Sequence, residues 1–247
     1  MLNLITPNWP APRWIKAYTT TRLGGFSHRP YDSFNIATHV GDNLKNVIKN
    51  RQLLQTYLNL KKPITWLNQV HGNGVISADH PINNLSADAI YSRTTQTVCA
   101  VQTADCLPLL VCSPHYYCVA AVHAGWRGLY NGIIEATVHA LALPPRDILV
   151  WLGPAIGAHA YIVGEEVFQA FVNKNRATET AFQPLKSKPK RWYANLYQLA
   201  QQHLHQLGIT AIYGSNYCTY SDKSHFFSYR RNKITGRMLS LIWINLS

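Results

Sequence analysis

The chain has 247 residues, of which 47% are hydrophobic and 14% charged, with 23 basic against 11 acidic side chains. That apolar fraction excludes an intrinsically disordered chain, and the length allows a sizeable core within a single domain, 1–247. The formal charge of +12 suits an anionic partner, whether nucleic acid, a membrane surface or a phosphorylated small molecule, without choosing among them.

Taken in chain order, residues 13–21 read as a strand, closed by a Gly24-Gly25 turn. A loop runs to about residue 40, and an amphipathic helix follows to Asn59, with Asp42 or Asn43 as its cap. Short apolar segments then come quickly at 64–70, 97–103, 107–112 and 117–123, which predicts a sheet-rich middle. The 129–143 segment has helical periodicity and stops at Pro144-Pro145. A strand at 148–152, helices at 164–174 and 193–207, and strands near 209–213 and 238–244 complete the reading. The basic stretch 183–191 reads as a surface loop rather than a domain boundary. The whole is an α+β chain with a mixed-sheet core.

No basic region followed by an apolar stretch opens the sequence, so no secretory signal is visible. No run reaches the roughly 18 apolar residues of a membrane span. The nearest approach, 148–163, is interrupted by Gly153, Pro154, Gly157 and His159. Five cysteines form neither an even set nor a dense one, which argues against a disulfide scaffold. The expectation is a reduced, cytoplasmic enzyme.

Three segments share one form, an apolar strand ending on a metal-ligand type and followed by tight-turn residues. They are Asn68–Gly72 with His71, Val101–Pro108 with Cys106, and Val119–Gly128 with His123. Two imidazoles and a thiolate converging on one sheet rim suit zinc, with a fourth position left open for water. Their spacings match no zinc finger, so a structural role for each residue, taken singly, stays open. Among the other cysteines, Cys112 lies roughly 20 Å along the strand from Cys106. Cys118 falls on the opposite strand face from His123. Cys99 sits in an apolar strand and Cys218 in a polar turn, so these four read as structural. Gly125 and Gly128 flank Arg127 ahead of a helix, an arrangement that could hold phosphate through backbone amides and a guanidinium. Arg22, Arg230 and Arg231 are further candidates for anion binding, and each equally suits a solvated surface charge. Nucleophile-elbow, Walker A, complete dinucleotide-binding and HExxH motifs are all absent.

Together the motifs N-Q-V-H-G (68–72), T-A-D-C-L-P (103–108), V-H-A-G-W-R-G (122–128), L-G-P-A-I-G (152–157) and F-S-Y-R-R…T-G-R (227–237) resemble those of the YfiH, or laccase-domain, family. The early T-T-R-L-G-G-F-S…S-F-N…H-V-G-D (20–42) fits the same pattern. The resemblance implies a four-layer α/β/β/α sandwich like the cytotoxic necrotizing factor catalytic domain. It also implies zinc held by His71, Cys106 and His123, and phosphorolysis of adenosine, inosine, guanosine and methylthioadenosine with adenosine deamination. Asp105 would move a proton or orient a ligand, and Arg127 would hold phosphate. The partners expected are purine nucleosides and phosphate, not nucleic acid or a membrane. An older laccase or polyphenol oxidase label for the family conflicts with the histidine count. Only His203-Leu-His205 has the H-x-H form, and on a helix its rings point about 200° apart. Copper would enter the His71/Cys106/His123 site only adventitiously. The alternative is a metal-free cysteine hydrolase or amidase using Cys106 and His123; a third reading, an RNA-binding module, lacks a recognition motif.

Overall fold

The computed structural model describes residues 2–80 and 84–246. The amino-terminal half contains β1 (Leu4–Ile5), β2 (Ile15–Thr20), α1 (Leu44–Tyr57), β3 (Val75–Ser77) and β4 (Ala89–Ser92). Next come β5 (Cys99–Thr103), β6 (Leu107–Cys112), β7 (Val119–Ala124), α2 (Trp126–Asn131) and α3 (Ile133–Leu141). Then follow β8 (Leu149–Leu152), β9 (Ile162–Gly164), α4 (Glu165–Lys174), β10 (Phe182–Pro184) and β11 (Arg191–Ala194). The chain closes with α5 (Leu196–Gln206), β12 (Ile212–Gly214) and β13 (Met238–Ile244).

Two sheets face each other. One has four strands in the order β1-β2-β13-β5 with every pairing antiparallel. The other has six, β12-β8-β6-β7-β4-β3, antiparallel at its centre and parallel at both edges. Between them Val101, Ile242 and Ile244 pack against Leu110, Ala121 and Trp151. The outer face of the four-stranded sheet (Ala100, Leu241, Trp243) packs on Phe34, Ile36 and Leu54 of the α1 side. The outer face of the six-stranded sheet (Leu109, Val122, Val150) packs on Ile133 of α3, Phe168 of α4 and Leu199 of α5. The layers are therefore helix, sheet, sheet, helix, the sandwich implied by the motifs. Central strands covered on both faces read as continuous apolar runs, which is why β6 and β7 stand out in the sequence. Each buried Leu, Ile or Val contributes about 1.5–3 kcal/mol, so these layers supply the bulk of the stabilisation.

Several expected elements shift. Asn43 is the cap of α1, its side chain accepting from Lys45 N–H. The segment 64–70 is not a strand; its one sheet contact is a bridge from Asn68 to Ser86. The helix expected at 129–143 starts at Trp126 and breaks at Gly132, whose φ of 85° splits it into α2 and α3. The helix expected at 193–207 starts at Leu196, because Arg191–Ala194 pair as β11, and Asn195 caps it. The basic stretch 183–191 bridges β10 and β11 of a small third sheet with β9, so its lysines do sit on a surface turn. Among the described residues no helix is long and apolar enough to cross a membrane.

Candidate metal centre

The centre lies where the chain crosses between the sheets. β5 belongs to the four-stranded sheet and β6 to the six-stranded one, and Ala104–Cys106 connect them. So short a connection demands a sharp bend, and Asp105 makes it at a φ of 98°. Left-handed backbone is costly for a residue with a Cβ and persists only where its surroundings hold it. Asp105 is held by its own carboxylate: Oδ1 accepts from Thr219 Oγ1 at 2.7 Å and Oδ2 from Arg230 N–H at 2.6 Å. Cys106 is thereby fixed at the mouth between the sheets. On β7, Val119 and Ala121 point into the inter-sheet core. Alternation aims His123 the same way, at the strand's far end. His71 adds the third group from the turn after Asn68, itself at a φ of 60°.

The three ligand atoms lie within 4.8 Å of one another, with Cys106 Sγ 3.9 Å from His71 Nε2. The two imidazole rings meet edge to face, centroids 4.8 Å apart. Burial is graded: His71 is exposed, Cys106 half-buried and His123 buried. Asp88, fully buried, ties the two histidines together. Its Oδ1 accepts from His123 Nδ1–H at 2.7 Å and from His71 N–H at 3.0 Å, and its Oδ2 accepts from Gly72 N–H at 2.7 Å. The hydrogen bond at Nδ1 leaves His123 Nε2 free to ligate a metal, the arrangement in which carboxylates orient metal-bound imidazoles. Burial alone would raise the Asp88 carboxyl, but the His123 and backbone hydrogen bonds hold it below its ordinary value.

Electrostatics set Cys106 apart from the buried strand cysteines. Burial pushes its thiol up, yet the adjacent His123 and the hydrogen bonds of both histidines bring it well below the ordinary thiol range. Burial depresses His123 in turn, while the Cys106 sulfur and Asp88 more than reverse that. By contrast, burial drives the thiols of Cys112 and Cys118 up, to about 12 and about 11. A thiolate with two imidazoles, converging from an exposed to a buried position, fits a zinc ion with three protein ligands and one open position.

A cleft of about 500 Å³ opens onto this trio. It is lined from the four-stranded side by Gln102, Thr103 and Arg237, and from the loops by His39, Gln69 and Tyr229. That volume falls in the roughly 300–1,000 Å³ typical of small-molecule sites. The Gln69 side chain copies a strand edge, its amide bonding Gln102 N–H at 2.7 Å and Gln102 O at 2.9 Å. Buried Gln102 Oε1 and Thr103 Oγ1 have no partner among the described residues.

The other residues singled out from sequence surround the trio or lie beyond it. A Cβ at Gly125 would stand 3.0 Å from Cys106 Sγ, and one at Gly128 would stand 3.2 Å from Gly72 O. Both glycines therefore serve the close approach of α2 to the metal loops. Arg127 is exposed, its guanidinium 4.3 Å over the Trp126 ring, and it does not line the cleft. Arg22 bonds Asp32 O at 2.8 Å and pairs with the Asp32 carboxylate at 3.2 Å. Arg231 holds the carbonyls of Thr219, Tyr220 and Phe226. Arg230 donates to Ile162 O at 2.7 Å and lies 4.9 Å over the Tyr161 ring. Arg22 and Arg231 are thus spent on loop structure. Sequence reasoning passed over Asp88, His39, Gln69, Gln102, Tyr229 and Arg237. All but Asp88 and Gln102 stand within the quoted motifs; Asp88 sits in an ordinary Ser-Ala-Asp-Ala stretch that carries no spacing signal.

The family model of multi-copper polyphenol oxidoreductase laccases matches residues 16–245. A purine nucleoside phosphorylase of Haemophilus influenzae is 48% identical over 98% of this chain and 99% of its own. The purine nucleoside phosphorylase YfiH of Escherichia coli K12 is also 48% identical, over 99% of this chain and 100% of its own. Among solved structures, a Neisseria meningitidis protein superimposes with a TM-score of 0.94 at 43% identity, covering 98% of this chain and 99% of its own. YlmD of Geobacillus stearothermophilus gives a TM-score of 0.87 at 30% identity over 98% and 96%. With a family model matching nearly the whole chain, relatives nearly half identical over their full length and a shared fold, the chain belongs to the YfiH, or laccase-domain, family.

Proposed function

We propose that this chain, acting as one catalytic domain, is a zinc-dependent purine nucleoside phosphorylase that also deaminates adenosine. The observation that carries the proposal is the convergence of His71, Cys106 and His123 at the floor of a nucleoside-sized cleft. Relatives nearly half identical in sequence carry the phosphorylase name. Adenosine, inosine, guanosine and methylthioadenosine are the proposed substrates. In phosphorolysis a phosphate oxygen forms a bond to C1′ of the ribose as the C1′–N9 bond breaks. The bond pair leaves on N9, which takes up a proton, giving free purine and ribose 1-phosphate. In deamination water adds at C6 and ammonia departs.

The residues divide the work. His71, Cys106 and His123 would hold the zinc, which supplies Lewis-acid polarisation of an oxygen ligand. Asp88 holds His123 in its ligating tautomer, and Asp105 positions Cys106 with both carboxylate oxygens already engaged, so its role is positioning rather than proton transfer. The glycines of α2 keep side chains away from the sulfur. The cysteine-hydrolase alternative needs only the Cys106–His123 pair and leaves His71 without a task.

The test is elemental analysis of the purified protein beside product analysis with adenosine and phosphate. One zinc per chain is expected, together with adenine and ribose 1-phosphate that require phosphate, and inosine that does not. His71→Ala, Cys106→Ala and His123→Ala should each lose zinc and both activities by at least about a hundredfold. Full activity after metal removal, abolished by thiol alkylation, would replace this reading with the cysteine hydrolase.

A further inference from the structure

We infer that the cleft binds its anionic co-substrate, inorganic phosphate, at Arg237 and His39 on the side of the four-stranded sheet, and not at Arg127. The inference rests on the phosphorylase reading and fixes a subsite within it. Arg237 immediately precedes Met238, which pairs with Thr103 across β13 and β5. The guanidinium therefore enters the cleft beside the crossover that carries Cys106. Its backbone N–H donates to Asn35 Oδ1 at 3.0 Å, which joins it to the loop bearing His39.

Charge supplies the second argument. Arg237 uses Nη1 on the carbonyls of Thr235 and Gly236, both at 3.0 Å, leaving Nε and Nη2 without a bond among the described residues. Behind His39, Arg51 gives Nε to Ile36 O at 2.8 Å and stacks 3.5 Å from the Trp66 ring centroid. Neither arginine forms an ion pair with a carboxylate among the described residues. The nearby Asp42 carboxylate accepts from Ser27, Asn35 and Asn43 N–H instead. The anions near Arg237, the Cys106 sulfur and the Asp105 carboxylate, are already engaged by the two histidines and by Thr219 and Arg230 N–H, so a bound dianion would complete the neutralisation of these half-buried cations. Burial and these same two guanidinia push His39 below its ordinary value.

A third observation is independent of charge. Thr103, 1% exposed, lines the cleft, and its Oγ1 has no partner among the described residues, a hydroxyl available to donate to a phosphate oxygen. Gln102 Oε1, also unpartnered, is an acceptor and suits a ribose hydroxyl or a base N–H beside the anion. Arg127 also lacks an ion pair among the described residues, but it does not line the cleft and has no unpartnered buried hydroxyl beside it. It is exposed on a six-residue helix and faces its neighbour's ring.

Inorganic phosphate titrated calorimetrically into the metal-loaded protein tests the assignment. Arg237→Met should weaken phosphate binding at least about tenfold, and Arg237→Lys, which keeps charge but loses the fork, should recover part of it. Arg127→Met should weaken it less than either, and Arg146→Met, removing an exposed charge ahead of β8, should leave it within about twofold. If Arg237→Met unfolds, Arg237→Lys and His39→Gln carry the comparison, each expected to weaken phosphate severalfold with circular dichroism unchanged. No binding to the parent protein, unchanged binding in the Arg237 and His39 variants, or a greater loss in Arg127→Met would each overturn the assignment. Arg237-dependent phosphate binding in a protein that consumes no nucleoside would leave the subsite standing and remove the phosphorylase reading. Phosphorolysis with a phosphate KM unmoved by Arg237→Lys would do the reverse.

Discussion

Asp88 accepts from three consecutive backbone amides, Val70 to Gly72, and from the His123 ring while showing no surface to solvent. A neutral amide in its place offers one oxygen and two N–H groups, so at least one of these donors would face another donor. Asp88→Asn should therefore release the His71 turn and free the His123 ring to rotate, weakening metal affinity by about 10–100-fold. Competition against a chelator measures this, and an affinity equal to the parent's would show that Asp88 only fills space. The carboxyl also predicts the acid response. Its folded value lies below its unfolded one, so its stabilisation is present above the unfolded value and disappears as pH falls through the folded one. The stability gap between the parent and Asp88→Asn should accordingly narrow on acidification, as followed by thermal melts. His71, Cys106 and His123 were legible in the sequence because each ends an apolar run before a turn. Asp88 was not, because nothing in its neighbours marks a buried carboxylate as the partner of residues distant in the chain.

Among the elements, the break between α2 and α3 is what lets the chain leave the metal centre and still cover the sheet. α2 presses Gly125 and Gly128 onto the metal loops, while α3 lays Ile133, Ile134 and Leu141 on the outer face of the six-stranded sheet. Gly132 joins them in a left-handed conformation, with Gly132 N–H bonded to Leu129 O at 3.2 Å. Gly132→Ala should cost about 1–2 kcal/mol, lowering Tm by several degrees while metal content stays at the parent level. A rise in Tm would mean that one continuous helix is tolerated and that the break is not required. Periodicity alone merges the two helices, since apolar residues recur on one face through Gly132 and only the backbone angle separates them. The same limit explains the expected strand at 64–70. Leu67 is buried as a strand residue would be, yet the segment's amides go to Asp88 and to Leu85 O rather than to a neighbouring strand. Short edge pieces such as β3, β9 and β10 carry too few residues to show alternation, whereas β13, seven buried residues long, is evident at sight.

At the scale of the whole molecule, the sandwich gives one rim to chemistry and the outer helices to packing, and this decides how much metal the protein can use. Among the described residues the only cluster of histidine, cysteine and carboxylate groups able to hold an ion is the trio at the sheet crossover. The H-x-H pair lies on α5 in the outer helical layer, where buried His203 donates through Nδ1 to Glu135 at 2.5 Å and His205 is exposed. Such a pair cannot form part of a trinuclear copper cluster, so the described residues offer no ligand set for a four-copper oxidase mechanism. Copper supplied in excess should bind tightly at one equivalent per chain and displace zinc from the crossover, following the general order of divalent affinities. His203→Gln with His205→Ala should leave nucleoside turnover, zinc content and any copper-dependent dye oxidation within about twofold of the parent, with Tm lowered by the lost Glu135 contact. Cys106→Ala should abolish the dye oxidation together with nucleoside turnover. Elemental analysis and parallel assays on the two variants measure this. A protein binding several tight coppers, or one losing dye oxidation in the α5 variant while keeping nucleoside turnover, would require a second metal centre beyond the single cluster found among the described residues.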